Sequence, residues 1–191
     1  MLKAICSFIL LKLWGWKIES VFPKDVPKSI IIVIPHTSNW DFPIGILLRP
    51  IIHLKTNFVG KSSLFFFPLG ILMRALGGVA VDRTKHNNFV DAVVDIYKKR
   101  DQFSITVTPE GTRSKVETLK SGFYYIALKA GVPIVCCKFD WSKMVIGFSE
   151  PFYPTGDYEG DLPKILQYFR GVKGKITEND FDIKGYFEAH K

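Results

Sequence analysis

The apolar positions fall into short runs separated by polar turns, and their spacing alternates between strand and helix periods. Ile30-Ile31-Ile32-Val33-Ile34 is continuous and β-branched, the pattern of a strand covered on both faces. Thr56 to Gly60 reads as a second short strand, Gly77 to Arg83 as a third entered through two glycines, and Val132 to Lys138 as a Val/Ile-rich fifth. The fourth, Phe103 to Thr108, sets Phe103, Ile105 and Val107 alternately against Ser104, Thr106 and Thr108. Helical segments lie between them: Pro43 to Ile52, Asn87 to Arg100 with Phe89, Val93, Ile96 and Tyr97 on one stripe, and Gly122 to Ala130 closing at Gly131. Met144 to Phe148 adds a strand and Leu162 to Phe169 a helix, after which the chain ends in a polar, mostly charged tail. This alternation predicts an α/β fold in a single domain, with a largely parallel mixed sheet flanked by helices.

Two apolar stretches stand outside that scheme. Residues 1 to 18 are apolar nearly all round a helix, yet fall short of the ~20 residues needed to span a bilayer. Lipid could cover such a helix, with Lys3, Lys12, Lys17, Trp14 and Trp16 at headgroup level; the other cover is the domain itself. We read residues 1–20 as a membrane-associating helix and 21–191 as the α/β domain. From Leu64 to Leu76 a single charge, Arg74, interrupts the apolar run, which suits buried core or a membrane-facing surface.

Composition narrows the partners. The 26 Lys and Arg against 18 Asp and Glu give a formal charge of +8, which favours an anionic partner. No zinc-finger spacing, RNA-binding aromatic signature or basic helix accompanies it, so nucleic acid is not expected. With 16 Phe among 191 residues, part of the apolar surface is expected to face something other than water. Cys6, Cys136 and Cys137 make no disulfide framework, which points to the cytosolic side. The four histidines have no ligand spacing, so no metal is expected. Gly60-Lys61-Ser62 lacks the earlier glycine of a phosphate-binding loop, since Lys55 stands there.

The chemistry concentrates where strands end. His36 follows the Ile-rich strand and Asp41 comes five residues later. In one continuous helix the two would sit roughly 140° apart, so they meet only if His36 lies in the turn and Asp41 on the helix's first turn. Ser38 or Asn39 as N-cap and Pro43 in the first turn place the helix start near Trp40. Two readings are open from the stretch alone: a His–Asp dyad with His36 as general base, or a histidine capping a backbone carbonyl. Arg83 and the Glu110-to-Ser114 loop follow other strands, and ligands gather at the carboxyl ends of parallel strands.

Four blocks in order resemble the glycerolipid acyltransferases, the lysophosphatidic acid (1-acyl-glycerol-3-phosphate) acyltransferase family. They are His-x4-Asp at His36 to Asp41, Gly78 to Arg83, Pro-Glu-Gly-Thr-Arg-Ser at Pro109 to Ser114, and Val-Pro-Ile-Val at Val132 to Val135. The resemblance implies the glycerol-3-phosphate acyltransferase-like fold and a dyad in which His36 deprotonates an acceptor hydroxyl and Asp41 orients it. It also implies acceptor binding by Glu110, Gly111 and Thr112 and phosphate recognition by Arg83, with Arg113 and Lys61 as further candidates. Beside the implied anion, Arg113 is equally readable as structural and Lys61 as a solvated lysine, and Val132 to Val135 reads as an ordinary buried strand. Thr108 and Cys136-Cys137 depart from the family's usual residues, which bears on acyl-chain and acceptor preference.

The implied reaction moves a fatty acyl group from acyl-CoA or acyl carrier protein to the sn-2 hydroxyl of a lysophospholipid. Lysophosphatidic acid is the expected acceptor; the co-substrate carries the acyl group and no cofactor is needed. The enzyme is expected on the cytoplasmic face of an anionic membrane, peripheral or monotopic. The rival readings are another lysolipid acceptor such as an ornithine lipid, a catalytically silent lipid-binding protein of the same fold, and a hydrolase that uses water as acceptor.

Overall fold

The computed structural model describes residues 1–61, 65–81 and 89–189, with the backbone alone at 59–61 and 81. Its centre is strand β2 (Lys28–Val33), whose isoleucines are buried on both sides. Ile30, Ile32 and Ile34 enter one core and Ile31 and Val33 the other, as the two-residue period of a doubly covered strand requires.

Seven strands form the sheet in the order β1-β7-β6-β2-β5-β3-β4. They are β1 (Lys17–Ile18), β2, β3 (Asn57–Lys61), β4 (Gly78–Val81), β5 (Phe103–Val107), β6 (Ile134–Asp140) and β7 (Val145–Phe148). The five from β6 to β4 are mutually parallel, β7 runs antiparallel to β6, and β1 lies parallel to β7. On one face pack α4 (Phe89–Lys98), α5 (Gly122–Ala130) and α6 (Tyr158–Leu166). On the other pack α1 (Leu2–Ser7), its π-helical continuation through Leu13, and α2 (Asp41–Ile51). The mixed, largely parallel sheet flanked by helices is the architecture that the alternating pattern predicts. The register Ile32 to Val107 sets the carboxyl ends of β2 and β5 side by side, so the loops that follow them are neighbours.

Three segments add to the expectation. Of the two readings of the Leu64-to-Leu76 run, the described residues 65–76 favour the exposed one: Phe65 is covered, but helix α3 (Leu69–Ala75) lies at the β4 edge and leaves Phe66, Phe67, Ile71 and Leu72 exposed. The charged tail hides a packed end, with Phe181 and Ile183 buried and a last helix α7 (Ile183–Ala189) whose Tyr186 and Phe187 lean on the core. Charge in that tail masked sparse apolar anchors spaced too widely to read as an element. Finally, two-residue β1, too short to carry a period, joins the N-terminal segment to the sheet.

The N-terminal segment has two faces. Cys6, Leu10 and Trp16 are buried against α2 and β6, while Leu2, Ile5, Phe8 and Leu13 are exposed. Among the described residues, no helix is long and apolar enough to cross a membrane. Cys136 and Cys137 are buried strand residues, and burial pushes the Cys136 thiol up to about 12.

Candidate active site

The strand β2 ends at Val33, and the chain turns through a cis Ile34–Pro35 bond into His36. Helix α2 begins at Asp41, the arrangement in which the two side chains can meet. They do: His36 Nδ1 lies 2.9 Å from Asp41 Oδ2. Trp40 stands at the N-cap position without a side-chain bond, one or two residues after the expected Asn39 or Ser38. Ser38 still closes the turn reciprocally: its Oγ accepts from the Trp40 N–H at 3.2 Å, and its own N–H donates to Asp41 Oδ2 at 3.2 Å.

Asp41 is 4% exposed and takes a third donor, the indole Nε1–H of Trp141, on Oδ1 at 2.8 Å. An ionised carboxylate can only accept, so in the neutral ring the His36 hydrogen sits on Nδ1 and the lone pair on Nε2. Among the described residues no partner occupies Nε2, and His36 lines a cavity of about 700 Å³.

Glu110 supports the same histidine from behind. The β5 loop brings its buried carboxylate to the His36 main chain, whose N–H donates to Oε2 at 2.7 Å. Burial pushes the Glu110 carboxyl up to about 7, against the opposing pull of the His36 N–H. Its described contact is with the backbone of the His36 turn, whereas the resemblance implied acceptor binding. The next residue, Gly111, has φ +67°, which favours glycine, and the Lys120 side chain folds over it.

The cavity runs between α2, the start of β3, the end of β5, and α5. Phe42, Ile46, Phe58, Phe123 and Ile126 give it apolar walls. Arg113 and Lys120 bring positive charge to the same space, and among the described residues neither is ion-paired. Gly111 lines it as well, while Thr112 is exposed on that loop and its Oγ1 accepts from Ser114 N–H at 3.3 Å. Arg49, on the last turn of α2, donates to the Leu76 carbonyl at 2.6 Å, and burial lowers its pKa. Arg83 lies outside the described residues, and of Lys61 only the backbone is described.

Three contributors escaped the sequence reading. Lys120 stands in a polar stretch with nothing to mark it, Trp141 is 100 positions from its partner, and Thr37 accepts from the Ile176 N–H at 3.1 Å across 139. Only the adjacency of the β2 and β6 ends could have hinted at Trp141.

Comparison with known proteins agrees with this geometry. The model of the family described as Acyltransferase matches residues 17–140. A Haemophilus influenzae protein named 1-acyl-sn-glycerol-3-phosphate acyltransferase is 31% identical over 91% of this chain and 80% of its own. The Escherichia coli K12 protein of that name is 36% identical over 66% of this chain, which spans only 54% of that relative. Among solved structures, the 1-acyl-sn-glycerophosphate (LPA) acyltransferase PlsC of Thermotoga maritima superposes with a TM-score of 0.61. It shares 22% identity, over 99% of this chain and 78% of that one. A family match over more than half the chain and a relative aligned along most of its length lead to one conclusion: the chain belongs to the acyltransferase family.

Proposed function

We propose that this acyltransferase transfers a fatty acyl group from acyl-CoA or acyl carrier protein to the sn-2 hydroxyl of lysophosphatidic acid. The observation that carries the reading is the His36–Asp41 contact of 2.9 Å at the rim of a cavity with both apolar and cationic walls. The names of the Haemophilus and Escherichia coli relatives support the choice of acceptor.

In the proposed reaction His36 Nε2 takes the proton of the acceptor hydroxyl as its oxygen attacks the thioester carbonyl. The tetrahedral intermediate expels the thiolate, which recovers the proton from the imidazolium. One C–O bond forms and one C–S bond breaks, so no acyl-enzyme and no resident cofactor are required. Asp41 holds the ring and balances its transient positive charge. Arg113 and Lys120 suit the acceptor phosphate, with Gly111 and Thr112 supplying the loop around it; Arg83 and Lys61 remain proposed partners of that anion. Phe42, Ile46 and Phe58 suit an acyl chain.

The same reading places the enzyme at a membrane surface, on its cytoplasmic side. The exposed Leu2, Phe8 and Leu13 give α1 and its extension an apolar outer face. Trp14 touches Trp40 edge-on at 5.8 Å, which joins that segment to the His36 turn. A lysolipid could then reach the site without leaving the interface.

Incubating the full chain with labelled acyl-CoA and lysophosphatidic acid in mixed micelles tests the proposal. Label should enter phospholipid only when the acceptor is present, and His36→Ala should lower kcat by about 10²–10⁴. Near-wild-type turnover in His36→Ala would refute the mechanism. Label in free fatty acid would indicate hydrolysis, and no product at all a lipid-binding protein.

A further inference from the structure

The His–Asp pair is served by a residue outside the family match, which ends at Asp140. We infer that Trp141 is a positioning residue of the site: its indole N–H grips the Asp41 oxygen that His36 leaves open, and so fixes the orientation of the imidazole. The inference rests on the reading of His36 as base and Asp41 as its orienting group.

A carboxylate held at one oxygen can swing about its Cβ–Cγ bond and carry the hydrogen-bonded ring with it. In this site Oδ2 takes His36 Nδ1 at 2.9 Å and the Ser38 N–H at 3.2 Å, both from the same short turn. The bond to Oδ1, 2.8 Å from Trp141 Nε1, comes from a different part of the chain. The carboxylate plane is thus defined by donors on two independent supports.

Trp141 is itself held on several sides. It opens the β6–β7 turn, which the buried Asp140 ties by accepting from the Ser142 N–H at 3.1 Å and the Ser142 hydroxyl at 2.6 Å. Trp16 packs edge-on against its ring at 5.1 Å. The segment 171–181 crosses its other side. There the main-chain N–H of Trp141 donates to the Lys173 carbonyl at 2.9 Å, and Lys175 Nζ sits 4.6 Å from its ring and 4.8 Å from that of Trp40. The same strap reaches the His36 turn through Thr37 and the Glu110 loop through Asn179, which donates to the Arg113 carbonyl at 3.0 Å. Gly174 permits the approach, because a Cβ there would lie 2.5 Å from Thr37 Oγ1 and from Asp180 Oδ1. Such clamping suits an indole whose direction matters more than its bulk.

Trp141→Phe deletes the donor and keeps a ring. In the acyl-transfer assay it should lower kcat about tenfold, as loss of a bond to a charged group does, with KM within about twofold. In an Asp41→Asn background the same substitution should change kcat by less than about twofold, because its route to the reaction is gone. A second measurement needs no activity and no Trp141 variant in the comparison: the Trp141 indole Nε1–H NMR resonance should move upfield in Asp41→Asn. Undiminished kcat in Trp141→Phe, a loss that persists in full in Asp41→Asn, or an indole resonance unmoved by Asp41→Asn would each overturn the inference. If the wild-type chain transfers no acyl group, the parent reading fails instead; an active wild type with an equally active Trp141→Phe sinks this inference alone.

Discussion

Two carboxyl groups divide the task of fixing His36. Asp41 holds the ring and Glu110 holds the main chain, and both are buried. Their consequences for pH differ. Burial raises Glu110 from 4.5 to about 7 in the folded chain, so over that window the folded state keeps a proton that the unfolded state has released. Stability from this group is therefore full below about pH 4.5 and is lost as pH rises towards 7, by on the order of 3 kcal/mol. Glu110→Gln retains an oxygen for the His36 N–H and should flatten that slope, which urea titrations at pH 5 and pH 8 would reveal as a smaller difference in midpoint. An unchanged difference would show that Glu110 ionises without cost. The dyad was legible in the sequence because its members share one turn, and spacing alone limits how they can meet. The role of Glu110 towards His36 was not legible, because a bond across 74 positions depends on the β2–β5 register, which spacing within a block does not encode.

At the scale of elements, β2 and α1 show opposite uses of apolar residues. Ile32 is fully buried in the central strand, and Ile32→Ala should cost about 2–5 kcal/mol, measured as a drop in the urea midpoint at constant slope. In α1 and its extension one face packs on the domain and the other is exposed, the face proposed to meet lipid. Deleting the segment would uncover Ile44 and Leu48 along with removing the outer face, so it would mix loss of fold with loss of lipid contact. The double substitution Phe8→Asp and Leu13→Asp alters only exposed positions. It should leave the unfolding free energy from urea titration within about 0.5 kcal/mol of the wild type while abolishing flotation with vesicles. Flotation equal to the wild type would remove this face from membrane binding. A helix apolar all round told that some cover was needed; only packing shows that the domain covers one side. The α3 segment stayed open between core and exposed surface for the same reason, since an apolar run does not state which of its faces meets a neighbour.

Across the whole molecule, the formal charge of +8 and the exposed apolar faces of α1 and α3 both suit the anionic membrane surface proposed above. Binding to vesicles rich in anionic lipid should exceed binding to neutral ones and weaken as salt rises from about 0.05 to 0.5 M, where screening shortens from over 10 Å to a few ångströms. Salt-independent binding would assign the attraction to apolar contact alone. The strap from 171 to 181 adds a consequence for what can be exchanged between relatives. A piece cut at Asp140 would carry all four sequence blocks, yet lack Trp141, the strap and the buried Leu166 and Phe169. The unit of folding and of engineering is thus longer than the unit of recognition: a graft of the blocks onto another chain must bring its own tail with them.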